Sequence, residues 1–216
     1  MILVAQTTYT ALEVGLHDGA KLITQRTIDK KDACAQLIPT IDTLLSAHNG
    51  SHSHIEKIMV NIGPAPFTSL RTLIATVNGI AFASNVPLYG SSALAVMSHM
   101  HASPNKPLLV ILNAYNKEFY YGLTLPGKPI QLGCGTLDTV LQLATLHGCI
   151  IVGHIAQLSQ AETVHDLKQI DTIEVAYCTL AELAAYTLAQ IKTGMTATKH
   201  LSPTYIKDTM HAPMQS

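Results

Sequence analysis

The chain of 216 residues is 48% hydrophobic and 12% charged, with a formal net charge of −1. That balance excludes a disordered chain and gives no overall electrostatic footprint for nucleic acid. The length suits one large domain or two small ones, and no run reaches the ~18 apolar residues of a membrane span.

The start, Met1-Ile2-Leu3-Val4-Ala5-Gln6, has no basic leader and reads as a strand rather than a signal peptide. Residues 2–8, 11–17 and 20–27 read as three strands in a meander, with His17-Asp18-Gly19 as a hairpin turn. A helix is expected over 32–48, with Cys34, Leu37, Ile38, Ile41, Leu44 and Leu45 on one face. Asp32 is placed at its amino end, Pro39 should kink or shorten it, and Asn49-Gly50 ends it. Ile58 to Ile62 is a short buried strand. It feeds Gly63-Pro64-Ala65-Pro66 and a helix from Phe67 to about Ser84.

That second helix organises the reading. Phe67, Leu70, Ile74, Val77 and Ala81 make one apolar stripe. Thr68, Thr72, Ala75, Thr76, Gly79 and Ala83 make a second stripe of small uncharged residues. Arg71 is the lone Asp, Glu, Lys or Arg between Lys57 and Lys106. A helix with one face in its own core normally carries charge on the other, so this second face is expected to be covered too.

Val86 to Tyr89 reads as a strand, followed by a helix to about Met100. The proline-bearing stretch 101–107 suggests a boundary between subdomains 1–103 and 104–216. The second half repeats the order of the first. Strands are expected at 108–113, 118–125, near Ile130 and at 149–152, with a helix at 136–147. Thr179-Leu180-Ala181-Glu182 is a capping box for a helix along Leu183, Ala184, Leu188 and Ile191. The order implies a duplicated α/β fold.

The candidate chemistry is thin. His48, His52 and His54 have metal-like spacing, but Asn49-Gly50 breaks the helix between them. Gly63 to Pro66 loses two N–H groups to proline and does not match a P-loop. Gln6 stands where a nucleotide-binding hairpin wants an acid for Mg²⁺. Gly133-Cys134-Gly135 is a flexible turn holding a thiol. The cysteines Cys34, Cys134, Cys149 and Cys178 lack C-x-x-C spacing and read as reduced thiols of a cytoplasmic protein.

The segments Ile2 to Thr7, Gly63 to Arg71, Asn78-Gly79-Ile80-Ala81, Val86 to Leu94, Asn113-Ala114-Tyr115 before Glu118-Phe119-Tyr120, and Ser202 to Lys207 resemble, in order, the TsaB (YeaZ) family. The resemblance implies a duplicated actin-like ATPase (ASKHA, RNase H-like) fold. It implies a non-catalytic scaffold that binds a TsaD-like subunit for threonylcarbamoylation of adenosine beside the tRNA anticodon. A TsaE-like ATPase would join through the complex, tRNA would be reached indirectly, and the chain alone would be a homodimer. Partner contacts are assigned to Leu37, Ile41, Pro64, Phe67, Thr68, Arg71, Ile74, Ala75 and Asn78. No catalytic, metal or cofactor site is expected beyond a weak nucleotide at the subunit junction. The family commonly has Asp at Gln6, Gly-Ser at Ala65-Pro66, and glycines at Ser69, Leu73 and Ala75. The metal histidines of TsaD align with Ala93 and Met97. The rivals are a stand-alone actin-fold ATPase or phosphotransferase, discriminated by Mg-ATP calorimetry, and a metallopeptidase, discriminated by metal analysis.

Overall fold

A computed structural model describes residues 1–156 and 170–206. The chain forms two compact units. Unit 1 comprises Met1–Ala93 and Cys178–Thr204; unit 2 comprises Leu94–Tyr177 and the segment from Tyr205. The boundary therefore falls ten residues before the one read from the 101–107 loop, and the chain's last helix returns to unit 1. Sequence order could not show that return.

In unit 1 the strands are β1 (Ile2–Thr7), β2 (Ala11–Asp18), β3 (Lys21–Asp29), β4 (Lys57–Asn61) and β5 (Leu88–Ser91). The sheet order is β3-β2-β1-β4-β5, with β1 antiparallel to β2 and parallel to β4. Helices α1 (Ala33–Ala47) and α2 (Phe67–Ser84) follow β3 and β4. Leu3, Leu12, Leu16, Ile58 and Val60 pack with Leu37, Ile41, Leu73 and Val77 into one buried core. Every residue of β1 is buried, as expected of a strand covered on both faces.

In unit 2, α3 (Ala93–His101) precedes β6 (Leu108–Asn113), β7 (Glu118–Thr124), β8 (Gln131–Thr136), α4 (Leu137–His147), β9 (Ile150–Gly153) and β10 (Thr172–Glu174). The order β8-β7-β6-β9-β10 repeats that of unit 1, with β6 antiparallel to β7 and parallel to β9. The matching topology establishes the duplication read from element order. The last helix, α5 (Leu180–Lys192), opens on Thr179 with the expected capping box, Glu182 N–H to Thr179 Oγ1 at 3.2 Å and Thr179 N–H to Glu182 at 2.7 Å. Gly15 admits it, since a Cβ there would stand 3.0 Å from Leu180 Cδ1.

Several local expectations need correction. Pro39 does not shorten α1, which runs for 15 residues. Pro39 itself is exposed, outside the unit 1 core. Asp32 does stand at the amino end of α1 as expected, though without a side-chain capping bond: its φ of −101° and ψ of −2° are already near-helical, and a side-chain cap needs an extended residue. Cys34 and Ile38 lie outside the core, and Ala33 takes the inward place. Cys134 is buried within β8 rather than displayed on a turn. Nothing in unit 1 foretold Thr187, which is fully buried on α5 and shares a 2.8 Å hydroxyl contact with Ser91.

His17 on β2 is fully buried, and among the described residues neither ring nitrogen has a hydrogen-bond partner. Burial pushes its pKa below 6.5, and the nearby Ala20 backbone offsets only part of that. As pH falls below about 6.5 the unfolded chain takes up this proton first, so stability drops until the lowered folded value is passed. Denaturant midpoints at pH 7.5 and pH 5.5 should differ less in His17→Gln than in the native chain.

Candidate functional site

The outward side of α1 and α2 is the surface the sequence singled out, and the structure sorts its candidates into two groups. Phe67, Thr68, Arg71 and Ala75 are exposed. Leu37, Ile41 and Ile74 are 1%, 0% and 4% exposed and belong to the unit 1 core; Pro64 is buried as well. Of these four, Leu37, Ile41 and Ile74 serve the unit 1 core from α1 and α2, and Pro64 lies in the turn before α2. Ser69 and Leu73 also face inward, so the family's glycines there do not bear on the outer surface.

Asn78 has an internal duty. Its side-chain amide donates to the Leu201 carbonyl and its oxygen accepts the Leu201 N–H, both at 2.9 Å. Leu201 in turn fills the notch that Gly90 leaves, where a Cβ would stand 2.7 Å from Leu201 Cδ2. Asn78 therefore clasps the segment after α5 onto α2. A polar residue at helical spacing gave no way to tell a clasp from a contact.

What remains outward is apolar, small and nearly neutral. Phe67, which lies on the apolar stripe and is also assigned to the partner contact, is 56% exposed. It lies in the first turn of α2, before the helix meets the core, and the Arg71 guanidinium stacks 3.8 Å from its ring centroid. Ile38 is 50% exposed and Phe82, which neither stripe includes, is 90% exposed. Phe82 follows Ala75 by seven residues and Gly79 by three, which puts it on the same helical face. Between the large side chains lie Thr68, Ala75, Gly79 and Ala83, all exposed. Cys34 Sγ lies 3.6 Å from Thr72 Oγ1, which marks how closely the two helices run. Within α1 the one Asp, Glu, Lys or Arg is Asp42, and it is paired with His52 at 2.6 Å.

Gly79 is informative by what it lacks. A Cβ built there meets nothing within 4 Å. Glycine inside a helix costs about 1 kcal/mol relative to alanine. The chain's own packing gives no reason to accept that cost.

A second polar cluster lies where β1 and β4 end. Gln6 is fully buried; its amide donates to Glu13 Oε2 and to the Cys178 carbonyl, both at 2.8 Å. Asn61 accepts the Gly63 N–H at 2.8 Å and sits 3.7 Å from Cys178 Sγ. Burial, then the charges of Glu182 and Glu13, push the Cys178 thiol up to about 12, with the Asn61 contact opposing. That thiol is therefore protonated and poorly nucleophilic at neutral pH. Gln6 is thus a structural donor within unit 1. His52 and His54 are engaged by Asp42 and Ser51. Among the described residues no group of three or more His, Cys, Asp or Glu is placed to share a metal ion.

The third feature lies in unit 2. Tyr115, Asn116 and Lys117, between β6 and β7, have φ of 60°, 51° and 62°. Left-handed backbone costs a residue with a side chain roughly 1–2 kcal/mol.

Residues 28–147 match the family model described as TsaD, tRNA N6-adenosine threonylcarbamoyltransferase. An uncharacterized protein of Mycobacterium leprae is 25% identical over 154 residues, 65% of this chain and 42% of its own length. An uncharacterized protein of Mycobacterium tuberculosis is 25% identical over 123 residues, 56% of this chain and 57% of its own. The chain thus spans about half the length of these relatives. Among solved structures, YeaZ from Pseudomonas aeruginosa superposes with a TM-score of 0.67 at 19% identity, covering 94% of this chain and 99% of that one. The ROK hexokinase of Thermus thermophilus gives 0.50 at 12% identity, covering 90% and 99%. The fold is therefore the duplicated actin-like one, in the form that YeaZ has.

Proposed function

Since this chain belongs to the TsaD family, whose model describes a tRNA N6-adenosine threonylcarbamoyltransferase, we propose that it is the accessory, TsaB-type member of a tRNA-modifying assembly. In this reading it is not itself the transferase. It docks a TsaD-like subunit through the outward face of α1 and α2, and a TsaE-like ATPase joins through the complex. Alone, the same face pairs two copies of the chain.

The observation that carries this reading is the chemistry of that face. Ile38, Phe67 and Phe82 expose large apolar surface around a floor of Ala75, Gly79 and Ala83, with Arg71 as its formal charge on α2. Exposed apolar surface of this kind favours association, and small residues four apart let another helix approach closely. Ala93 and Met97, which align with the metal histidines of TsaD, are buried apolar residues of α3, and this supports the accessory role over a catalytic one. No described helix is long and apolar enough to cross a membrane.

Gly79→Ala separates the two roles of α2. The methyl group meets open space in the isolated chain, so stability should rise by about 0.5–1 kcal/mol. The same methyl would press on a partner helix and weaken the complex. Urea unfolding of the isolated chain and co-purification with the TsaD-like subunit of the same organism read the two effects. Higher stability with undiminished binding would remove Gly79 from the interface.

A further inference from the structure

The turn from Tyr115 to Lys117 holds three successive left-handed residues. Side-chain-bearing residues visit that region singly. The equivalent hairpin of unit 1, Thr8 to Thr10, has no positive φ, so the shared topology does not impose it. Nor is the turn slack. The Asn113 side-chain oxygen accepts the Tyr115 N–H at 2.7 Å, and the Ala114 and Glu118 N–H groups donate across the turn at 2.9 and 3.0 Å. The Asn113 N–H donates to His154 Nδ1 at 3.1 Å, which leaves Nε2 to donate to the Ala176 carbonyl at 2.7 Å. The three side chains at the tip are exposed, Tyr115 by 51%. Firmly held backbone strain of this kind clusters at ligand clamps and switch regions. The turn also lies at the carboxyl end of β6, beside that of β9, the end at which α/β sheets bind ligands.

We propose that the Tyr115–Lys117 turn contacts unpaired RNA directly, with a base stacked on the Tyr115 ring and the adjoining phosphate met by Lys117. An exposed ring flanked by an amide and a lysine is the composition of a base-stacking platform. Glu118 follows at once and the whole chain carries −1, so stacking, not bulk charge, supplies most of the affinity. The choice of RNA rests on the tRNA-modification reading, and it replaces the expectation that tRNA is reached only through a partner.

The test titrates the full chain, and its complex with the TsaD-like subunit, into a fluorescein-labelled anticodon stem–loop RNA at several salt concentrations. Tyr115→Ala should weaken binding about tenfold. Lys117→Ala should lower the slope of log affinity against log salt by about one. Lys117→Gly relieves the left-handed strain, so it should raise the melting temperature while weakening RNA binding. A turn with a merely structural role would gain the stability and lose nothing. No RNA binding by chain or complex, or unchanged binding in Tyr115→Ala and Lys117→Ala, overturns the proposal. So does loss of the TsaD-like subunit from these variants with RNA affinity intact, which would make the turn a protein contact. If no complex forms but Tyr115→Ala still weakens RNA binding, the scaffold reading fails and this one stands.

Discussion

Ala75→Glu should leave the isolated chain folded and abolish its association with the TsaD-like subunit. Ala75 is exposed on α2, and the substitution touches none of the core side chains Leu70, Leu73, Ile74 and Val77. Surface substitutions of that kind shift stability by no more than about 0.5 kcal/mol. In a packed interface the same carboxylate would be buried without a counter-charge, at a cost of roughly 3–5 kcal/mol. Arg71, one turn away, is the nearest cation in sequence, and it is engaged with Phe67. The loss corresponds to a 10²- to 10³-fold or greater weakening. Co-expression followed by sizing reads it. A complex of unchanged yield and size would take Ala75, and with it the centre of the face, out of contact.

The second large effect is internal. Gln6→Glu should destabilise unit 1 by roughly 3–5 kcal/mol at neutral pH, by burying an uncompensated charge. The native amide donates to the Glu13 carboxylate and the Cys178 carbonyl at 2.8 Å. A carboxylate in its place would face two acceptors with no proton to offer, one of them a like charge. Thermal unfolding at pH 7 and pH 5 distinguishes this from a packing defect. Protonating the new carboxylate restores a donor, so the deficit should shrink on acidification. A deficit equal at both pH values would mean that shape, not charge, is what Gln6 supplies.

The sequence displayed the architecture more clearly than the site. The repeated strand order could be read from alternation in Leu12, Val14 and Leu16 and from turns such as Asp18-Gly19, because those are local signals. The helix α2 was legible from Phe67 to Ser84 because steps of three and four leave a periodic trace. Periodicity, however, places residues on a face without saying where the core begins. Leu37, Ile41 and Ile74 belong to the protein's own interior, and Phe67 does not. Phe82 is 90% exposed, and spacing alone does not separate an outward aromatic residue from a core one. The Asn78 clasp joins residues 123 positions apart, and the return of α5 to unit 1 is likewise long-range. The left-handed turn at Tyr115 was invisible because neither tyrosine nor lysine announces a positive φ, as glycine would.

Cys34 offers the most direct measurement of the central claim that α1 and α2 form a docking face. It is the exposed cysteine of the four, 3.6 Å from Thr72 on α2, while Cys134, Cys149 and Cys178 are buried. Maleimide labelling of the free chain, diluted until it is monomeric, should modify Cys34 readily. In a complex with the TsaD-like subunit, verified by sizing, labelling should slow at least about tenfold, as expected for a site that opens only transiently. Equal labelling rates in the free chain and in the verified complex would show that the partner binds elsewhere, and would contradict the account.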